Sequence, residues 1–380
     1  MIRAFGEWEK QECLLLSLPH KNTDWQPYLD EILASYEELV RAVVPYQKCV
    51  LICPDTQILE RFKKFSNCEF LEIATDDTWI RDYGMIDVLC GNGIKSYDFN
   101  FNAWGNKFKS SNDNAVNTAL NAHFKGELES VNMVLEGGSV DFNGDGVLLT
   151  TEHCLLNENR NPSLNKSQIE AKLSELFGLK RTIWLKNGFI KGDDTDHHID
   201  TLARFITPDT IAYASCDDRS DEHFNALRAM RDELEKTGFK LLALPLPSPK
   251  FYDDKRLGCT YTNFIFINDA LIVPTYDDKN DKIVLEALQN ALPNHKVIGV
   301  NSLVFVRQNG SLHCSSQNKY HAFAKQNVSS EAKNKRSGAD RQVFSEAKNK
   351  YHAFAKQNVS SEAKNKRSGA DRQVFSEAGE

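Results

Sequence analysis

No apolar run in the 380 residues approaches the ~20 consecutive positions a helix needs to cross a bilayer, so no segment reads as membrane-spanning. The opening residues, Met1 to Glu9, lack a basic stretch followed by an apolar one, and no secretory signal is expected. Cysteine is present without organisation: nine residues (13, 49, 53, 68, 90, 154, 216, 259 and 314), none at C-x-x-C spacing. An odd, scattered set argues against a disulfide framework or a zinc site and for reduced thiols in the cytoplasm. The patterns G-x-x-x-x-G-K-[ST] and H-E-x-x-H are missing too, which removes support for nucleotide hydrolysis and zinc proteolysis. The acidic stretch Asp141 to Gly146 has a calcium-loop flavour. It lacks the later spacing and terminal glutamate of such a loop, and is read as a hairpin turn.

What is there is ordinary for a globular protein: 41% hydrophobic and 10% aromatic residues, in a length that allows one large or two ordinary domains. The net charge of −7 hides an asymmetry. Residues 319–380 hold 13 Lys+Arg and 7 Asp+Glu, a net of +6, so residues 1–318 carry −13. An acidic body concentrates small cations around itself. Many cytosolic proteins are acidic without that purpose, and charge alone favours the plainer explanation.

Apolar periodicity predicts a helix over 28–43, with Leu29, Ile32, Leu33, Tyr36, Leu39, Val40 and Val43 on one face and Pro45 ending it. Strand-like and helix-like stretches then alternate: strands at 50–52, 70–73, 131–135, 147–150, 182–185, 210–215, 240–244, 263–274 and 297–300. Helices are expected at 57–65, 165–177, 221–237 and 282–291. Such alternation points to an α/β fold, and by itself allows an open doubly wound sheet. The end of the chain differs. Tyr320 through Ala347 recurs unaltered as Tyr351 through Ala378, a period of 31 residues. Two copies fall short of the three that usually bury a shared core, and few aliphatics among many Lys, Asn, Ser and Gln favour disorder or marginal helix. The expected division is a catalytic body at 1–318 and a repetitive, solvated tail at 319–380. A basic arm for nucleic acid, a membrane or a partner is the alternative for the tail.

Four short segments carry chemistry: Trp79 to Gly84 (WIRDYG), Leu135 to Gly138 (LEGG), Asp194 to Asp200 (DTDHHID) and Gly310 to Cys314 (GSLHC). They offer a thiol, an imidazole and three carboxylates. A thiolate that attacks a planar cation needs such a set: a nucleophile, an acid/base, and anions to hold the cation. A guanidinium suits it, because its N–H fork is accepted in pairs by carboxylates.

With these segments the chain resembles the agmatine deiminase and bacterial-type peptidyl-arginine deiminase family, of the guanidine-modifying superfamily. The likeness runs from Gly6-Glu7-Trp8-Glu9 to Gln317 and includes Phe101 to Gly105, Leu148 to Asn157, Asn159 to Pro162, Tyr261 to Phe264 and Ile272 to Pro274, in the family's order. The resemblance implies a five-bladed, pseudo-fivefold α/β propeller of ββαβ modules with its site on the axis. It implies hydrolysis of a small guanidine, foremost agmatine to N-carbamoylputrescine and ammonia, feeding putrescine formation. Deimination of peptidyl arginine is the alternative enzyme, and a non-catalytic guanidine-binding protein the alternative of another class. No cofactor and no metal are needed, since thiol, imidazole and carboxylates suffice. No nucleic acid or membrane partner is expected, and a homo-oligomer is left open.

Mapped residue by residue, the resemblance implies Cys314 as nucleophile, His198 as acid/base, Glu136 as the carboxylate that orients His198, and Asp82 with Asp200 as the guanidinium clamp. Taken singly, each has a plainer reading: a buried thiol, a structural histidine, an Asp82 paired with Arg81. Extended backbone over His198–Ile199–Asp200 would aim both polar side chains into one site. Trp79 and Trp104 are expected to wall the substrate's alkyl chain, though either could equally be core, and Arg81 and His197 are placed among the binding residues. Three positions depart from the family: His197 stands where glycine is usual, Met85 where proline is usual, and the Cys314 loop lacks a second glycine.

Overall fold

The helix expected from periodicity forms over Leu29–Val43, and Ile32, Leu33, Tyr36, Leu39, Val40 and Val43 are its buried face. The protein was analysed as a computed structural model that describes residues 2–321. Other helices start where the sequence supplies a cap. Asn165 and Gln168 form a reciprocal capping box at the head of Lys166–Phe177, and Gly178, at φ 64°, ends that helix in the left-handed conformation. Asp278 and Asp281 cap Lys279–Ala291 in the same way.

The architecture is mixed α/β, and five sheets share one plan: an antiparallel pair, a helix, then a parallel strand. Val140–Phe142 and Val147–Thr151 form a hairpin, and Arg181–Leu185 returns parallel after the helix Lys166–Phe177. Ala203–Thr207, Thr210–Ser215 and Lys240–Pro245 repeat this around the helix Phe224–Leu234. Ile265–Ile267, Ala270–Thr275 and Lys296–Asn301 repeat it around Lys279–Ala291. In a fourth sheet Ile86–Cys90 and Gly93–Asn100 precede Glu127–Val134, with Ile2–Ala4 added on the edge. The fifth joins the two ends of the described chain. Ser316–Tyr320 pairs antiparallel with Gln11–Ser17, which continues in parallel to Lys48–Ile52 and Cys68–Leu71. Central strands such as Leu14–Leu16 and Val50–Ile52 are buried throughout, as parallel strands covered on both faces must be.

Three expectations change. His198–Ile199–Asp200 is not extended; Ile199–Thr201 is a single 3-10 turn closed by bonds from Thr201 N and Thr201 Oγ1 to His198 O. Lys319 and Tyr320, assigned to the tail, belong to a strand of the body. Lys319 Nζ sits 2.8 Å from both oxygens of buried Asp87. The helix over 221–237 begins later, at Phe224, because Asp221 instead turns back to accept from His223 N (2.9 Å). Residues 322–380, nearly all of the expected tail, lie outside the described residues. Among the described residues no helix is long and apolar enough to cross a membrane.

Candidate active site

Three of the four chemical segments meet at Gly138, and the fourth joins them through Cys314 beside Asp200. A Cβ on Gly138 would come within 2.6 Å of His198 Nδ1, 2.8 Å of Asp82 Oδ1 and 3.0 Å of Asp200 Oδ2. Only hydrogen fits there, which explains why the carboxylate Glu136 is followed by Gly137-Gly138. The Gly138 N–H donates to Asp82 Oδ1 at 2.9 Å.

Asp82 lies on the one-turn helix Ile80–Tyr83, joined to the cysteine loop by a bond from Arg81 N to Cys314 O (3.2 Å). Its second oxygen accepts from Trp104 Nε1 at 2.9 Å. Trp104 is therefore not simply core: its indole N–H holds a buried acid. It stands at φ 55° beside Gly105, in the kink after Asn102. Burial drives the Asp82 carboxyl well above its usual range, and the Asp200 and Glu136 charges add to this against the two N–H donors.

Asp200 has one engaged and one free oxygen. Oδ2 accepts from His313 Nδ1 (2.7 Å) and lies 3.6 Å from Cys314 Sγ, while buried Oδ1 has no hydrogen-bond partner among the described residues. Burial pushes this carboxyl up, but the bond and charge of His313 outweigh it and hold Asp200 below the usual range. Asn263 anchors the loop around the thiol. Its Oδ1 accepts from His313 N (2.9 Å) and Cys314 N (3.3 Å), and its Nδ2 reaches Cys314 Sγ at 3.2 Å. Burial raises the Cys314 thiol well above its ordinary range, reinforced by the charges of Asp200 and Asp82. A neutral thiol is the resting form.

His198 is fully buried, and neither ring nitrogen has a hydrogen-bond partner among the described residues; Asp82 Oδ1 is 3.6 Å from Nδ1. Burial pushes its pKa down to about 3, so the ring is neutral at neutral pH. The expected orienting bond from Glu136 is absent. Glu136 Oε1 instead accepts from Arg160 Nε at 2.8 Å, and Oε2 faces Cys154 Sγ at 3.9 Å. Arg160 continues to Asp196 and donates to Thr195 O (3.1 Å), so it fixes the loop leading into His198. Burial works against the Arg160 charge, but Glu136 and Asp196 prevail and raise its pKa. The donor atoms of Glu136, Cys154 and His198 lie within 4.8 Å of one another, the one grouping among the described residues that could hold a metal ion. The Arg160 cation on Glu136 works against one there.

Arg81, expected among the substrate-binding residues, instead spends its guanidinium on the closing strand and the cysteine loop. It donates to Gln317 Oε1 (2.7 Å), Asn318 Oδ1 (2.8 Å) and His313 O (3.3 Å), lining a small cavity of about 50 Å³ with Glu7 and Asp87. His197 is at φ 67°, which accounts for the usual glycine there; its ring packs tilted against His153 at 4.6 Å. Trp79 packs beside Trp25 (5.7 Å) and under Gly310, where a Cβ would run into the indole. The sequence reading gave no role to His313, Asn263, Arg160 or Glu7. All four lie inside the quoted motifs, which was the only available signal.

A family model described as Porphyromonas-type peptidyl-arginine deiminase matches residues 3–319. The agmatine deiminase of Pseudomonas aeruginosa is 29% identical over 351 residues, covering 83% of this chain and 95% of its own. Among solved structures, a Cys-to-Ser variant of C. jejuni agmatine deiminase with substrate bound is 60% identical at a TM-score of 0.84. It covers 84% of this chain and 97% of that one. The agmatine deiminase of Enterococcus faecalis is 27% identical at a TM-score of 0.79, covering 84% and 96%.

Proposed function

The chain belongs to the Porphyromonas-type peptidyl-arginine deiminase family, hydrolases of C–N bonds in linear amidines, and from that premise we propose that it converts agmatine and water to N-carbamoylputrescine and ammonia. One observation carries the reading: Cys314 Sγ stands 3.6 Å from Asp200 Oδ2, while the other oxygen, Asp200 Oδ1, is buried and has no partner among the described residues. An acceptor held ionised in that position suits a guanidinium N–H. Asp82 and Asp200 grip the cation on its edges and leave a face open to sulfur. The enclosure of Cys314, His198 and Asp200 favours a slim alkylguanidine over an arginine borne on a protein. The C. jejuni relative, an agmatine deiminase with substrate bound in its Cys-to-Ser variant, supports both substrate and nucleophile.

The chemistry begins with both partners neutral. As the guanidinium arrives, its charge offsets the carboxylates that hold the Cys314 thiol up, and His198 takes the thiol proton. Sulfur bonds to the guanidinium carbon. The tetrahedral adduct collapses as His198 returns the proton to the departing nitrogen, releasing ammonia and leaving an S-alkylthiouronium on Cys314. Water then adds at the same carbon with His198 as base. The C–S bond breaks, the ureido product leaves, and sulfur recovers its proton. Glu136 acts on His198 by its charge and through Arg160 rather than by a direct bond. Trp79 and Trp104 flank the chain of the substrate, with His197 near its loop.

The five repeated sheets are read as blades of a propeller around this site. The support is that the site residues come from connections between different sheets rather than from one. The body at 1–318 is the catalytic unit in this reading and the tail an accessory to it, with the cytoplasm as its location.

Purified protein offered agmatine, free arginine and an arginyl peptide should release ammonia from agmatine fastest. Cys314→Ala should lower kcat by at least ~10⁴, in the range seen when a nucleophile is removed. Agmatine turnover that survives Cys314→Ala would refute the nucleophile assignment.

A further inference from the structure

His313 adjoins the proposed nucleophile in sequence, yet its side chain lies between two carboxylates. Nδ1 is 2.7 Å from Asp200 Oδ2 and Nε2 is 2.8 Å from Glu7 Oε2, with the ring buried. Glu7 is itself immobile. Oε2 accepts from Arg204 Nη2 at 2.6 Å and Oε1 from Phe266 N at 2.7 Å, and Arg204 is fixed in turn by Asp141 at 2.6 Å. Arg81 stands 3.9 Å from Glu7 and donates to the His313 carbonyl, so the backbone of the residue is held as well as its ring. An unbroken chain of charge-assisted bonds thus runs Asp141, Arg204, Glu7, His313, Asp200, from behind the site to its edge.

The far end of that chain decides the geometry of a reacting group. A carboxylate left to itself presents either oxygen by rotation about its terminal torsion, which is broad and two-fold. The bond to Nδ1 removes that freedom, and buried Oδ1 is left without a partner among the described residues. We propose that His313 is a positioning residue: it pins Asp200 by one oxygen so that the other is always the one offered to the guanidinium. His313 does not touch substrate in this arrangement and takes no part in proton transfer. Its effect is on binding, because a carboxylate free to rotate must be ordered each time the cation enters. The inference rests on the proposed role of Asp200 and deepens it.

Two near-isosteric variants separate this from a merely structural role. In His313→Asn the amide nitrogen takes the place of Nδ1 and still reaches Asp200, while the Glu7 contact is lost. In His313→Gln the amide takes the place of Nε2 and reaches Glu7, while Asp200 is released. Each loses one bond of the same kind, so a structural role predicts equal effects. We expect His313→Gln to raise KM for agmatine roughly tenfold or more with a smaller change in kcat, and His313→Asn to stay within about threefold of the parent. Equal KM for the two variants, or a larger defect in His313→Asn, would overturn the proposal. A crystal structure of Cys314→Ser with agmatine decides independently if either variant fails to fold. The guanidinium should bond to Asp200 Oδ1 with Oδ2 still on His313; a guanidinium on Oδ2 with His313 displaced would refute it. If the parent does not turn over agmatine, the proposed function fails. Calorimetric affinities of the two variants for guanidinium ion would still rank them.

Discussion

The residues around Gly138 are poised by being kept from their usual charge states. Cys314 and Asp82 are both pushed up by burial and by neighbouring carboxylates, and His198 is pushed down to about 3. A cation between Asp82 and Asp200 reverses the first two effects, since it favours the deprotonated form of each. The sign is then fixed: groups raised in the free protein and lowered in the complex release protons on binding. Agmatine binding to Cys314→Ser, where only Asp82 remains of the raised pair, should therefore release protons and tighten as pH rises above the usual carboxylate range. Calorimetry in buffers of different ionisation enthalpy measures both. Proton uptake, or affinity that falls with rising pH, contradicts this picture. Trp104 tests the same group from another side. Trp104→Phe keeps the ring but removes the N–H that Asp82 accepts at 2.9 Å. A hydrogen bond to a charged group contributes about 1.5–3 kcal/mol, so KM should rise roughly tenfold to a hundredfold. A change under twofold would return Trp104 to the core.

Between single residues and the whole chain, loops rather than strands fix the site. The turn before His198 is built by Asp193, whose Oδ2 accepts from His197 N at 2.9 Å and whose Oδ1 accepts from Thr195 N at 3.2 Å. It forces Asp196 and His197 to φ of 66° and 67°. A β-branched residue tolerates that region poorly, so His197→Val should destabilise by about 1–2 kcal/mol. His197→Gly relaxes the backbone but adds freedom to the unfolded chain, and should change stability by less than ~1 kcal/mol. Thermal melts of the pair check the ordering; equal melts would mean the loop is free to change conformation. Arg160 links this loop to Glu136 across a fully buried pair. Arg160→Met leaves that carboxylate unpaired and should cost about 3–5 kcal/mol.

This scale also explains what the sequence could and could not disclose. The helix Leu29–Val43 was legible because a repeat of 3.6 is written in adjacent residues, and strands such as Thr210–Ser215 because a short run of consecutive buried residues is. The 3-10 turn at Ile199–Thr201 is irregular and leaves no repeat to read. Which neighbour a side chain chooses is hidden in the same way. Arg81 turns to Gln317 and Asn318, more than 230 positions away, and His313 to Glu7, 306 away. The identities of Cys314, His198, Asp82, Asp200 and Glu136 came from motif order. Their partners required the folded chain, and Glu136 shows the difference: the residue was found, but its bond goes to Arg160.

At the scale of the molecule, the last described strand closes the body. Ser316–Tyr320 lies beside Gln11–Ser17, which brings the two ends of the catalytic unit into one sheet. It also carries Gln317 and Asn318, which receive Arg81, and Lys319, which neutralises buried Asp87. A chain ending after Ser315 would leave buried Asp87 without its cation, strip Arg81 of two of its acceptors and expose the edge of Gln11–Ser17. A buried charge left unpaired costs several kcal/mol against a total stability of about 5–15 kcal/mol, and the lost Arg81 bonds and strand add to it, so this truncation should not fold cooperatively. A chain ending after His321 keeps every one of these contacts. It loses only residues beyond the described ones, and should melt within about 2 °C of the full chain with agmatine turnover unchanged. Circular dichroism melts and ammonia release from the two truncations decide the matter. If the chain ending after His321 lost turnover, the repeated segment would be part of the enzyme and not an accessory. If the chain ending after Ser315 still folded, the closing strand would not be what holds the two ends together.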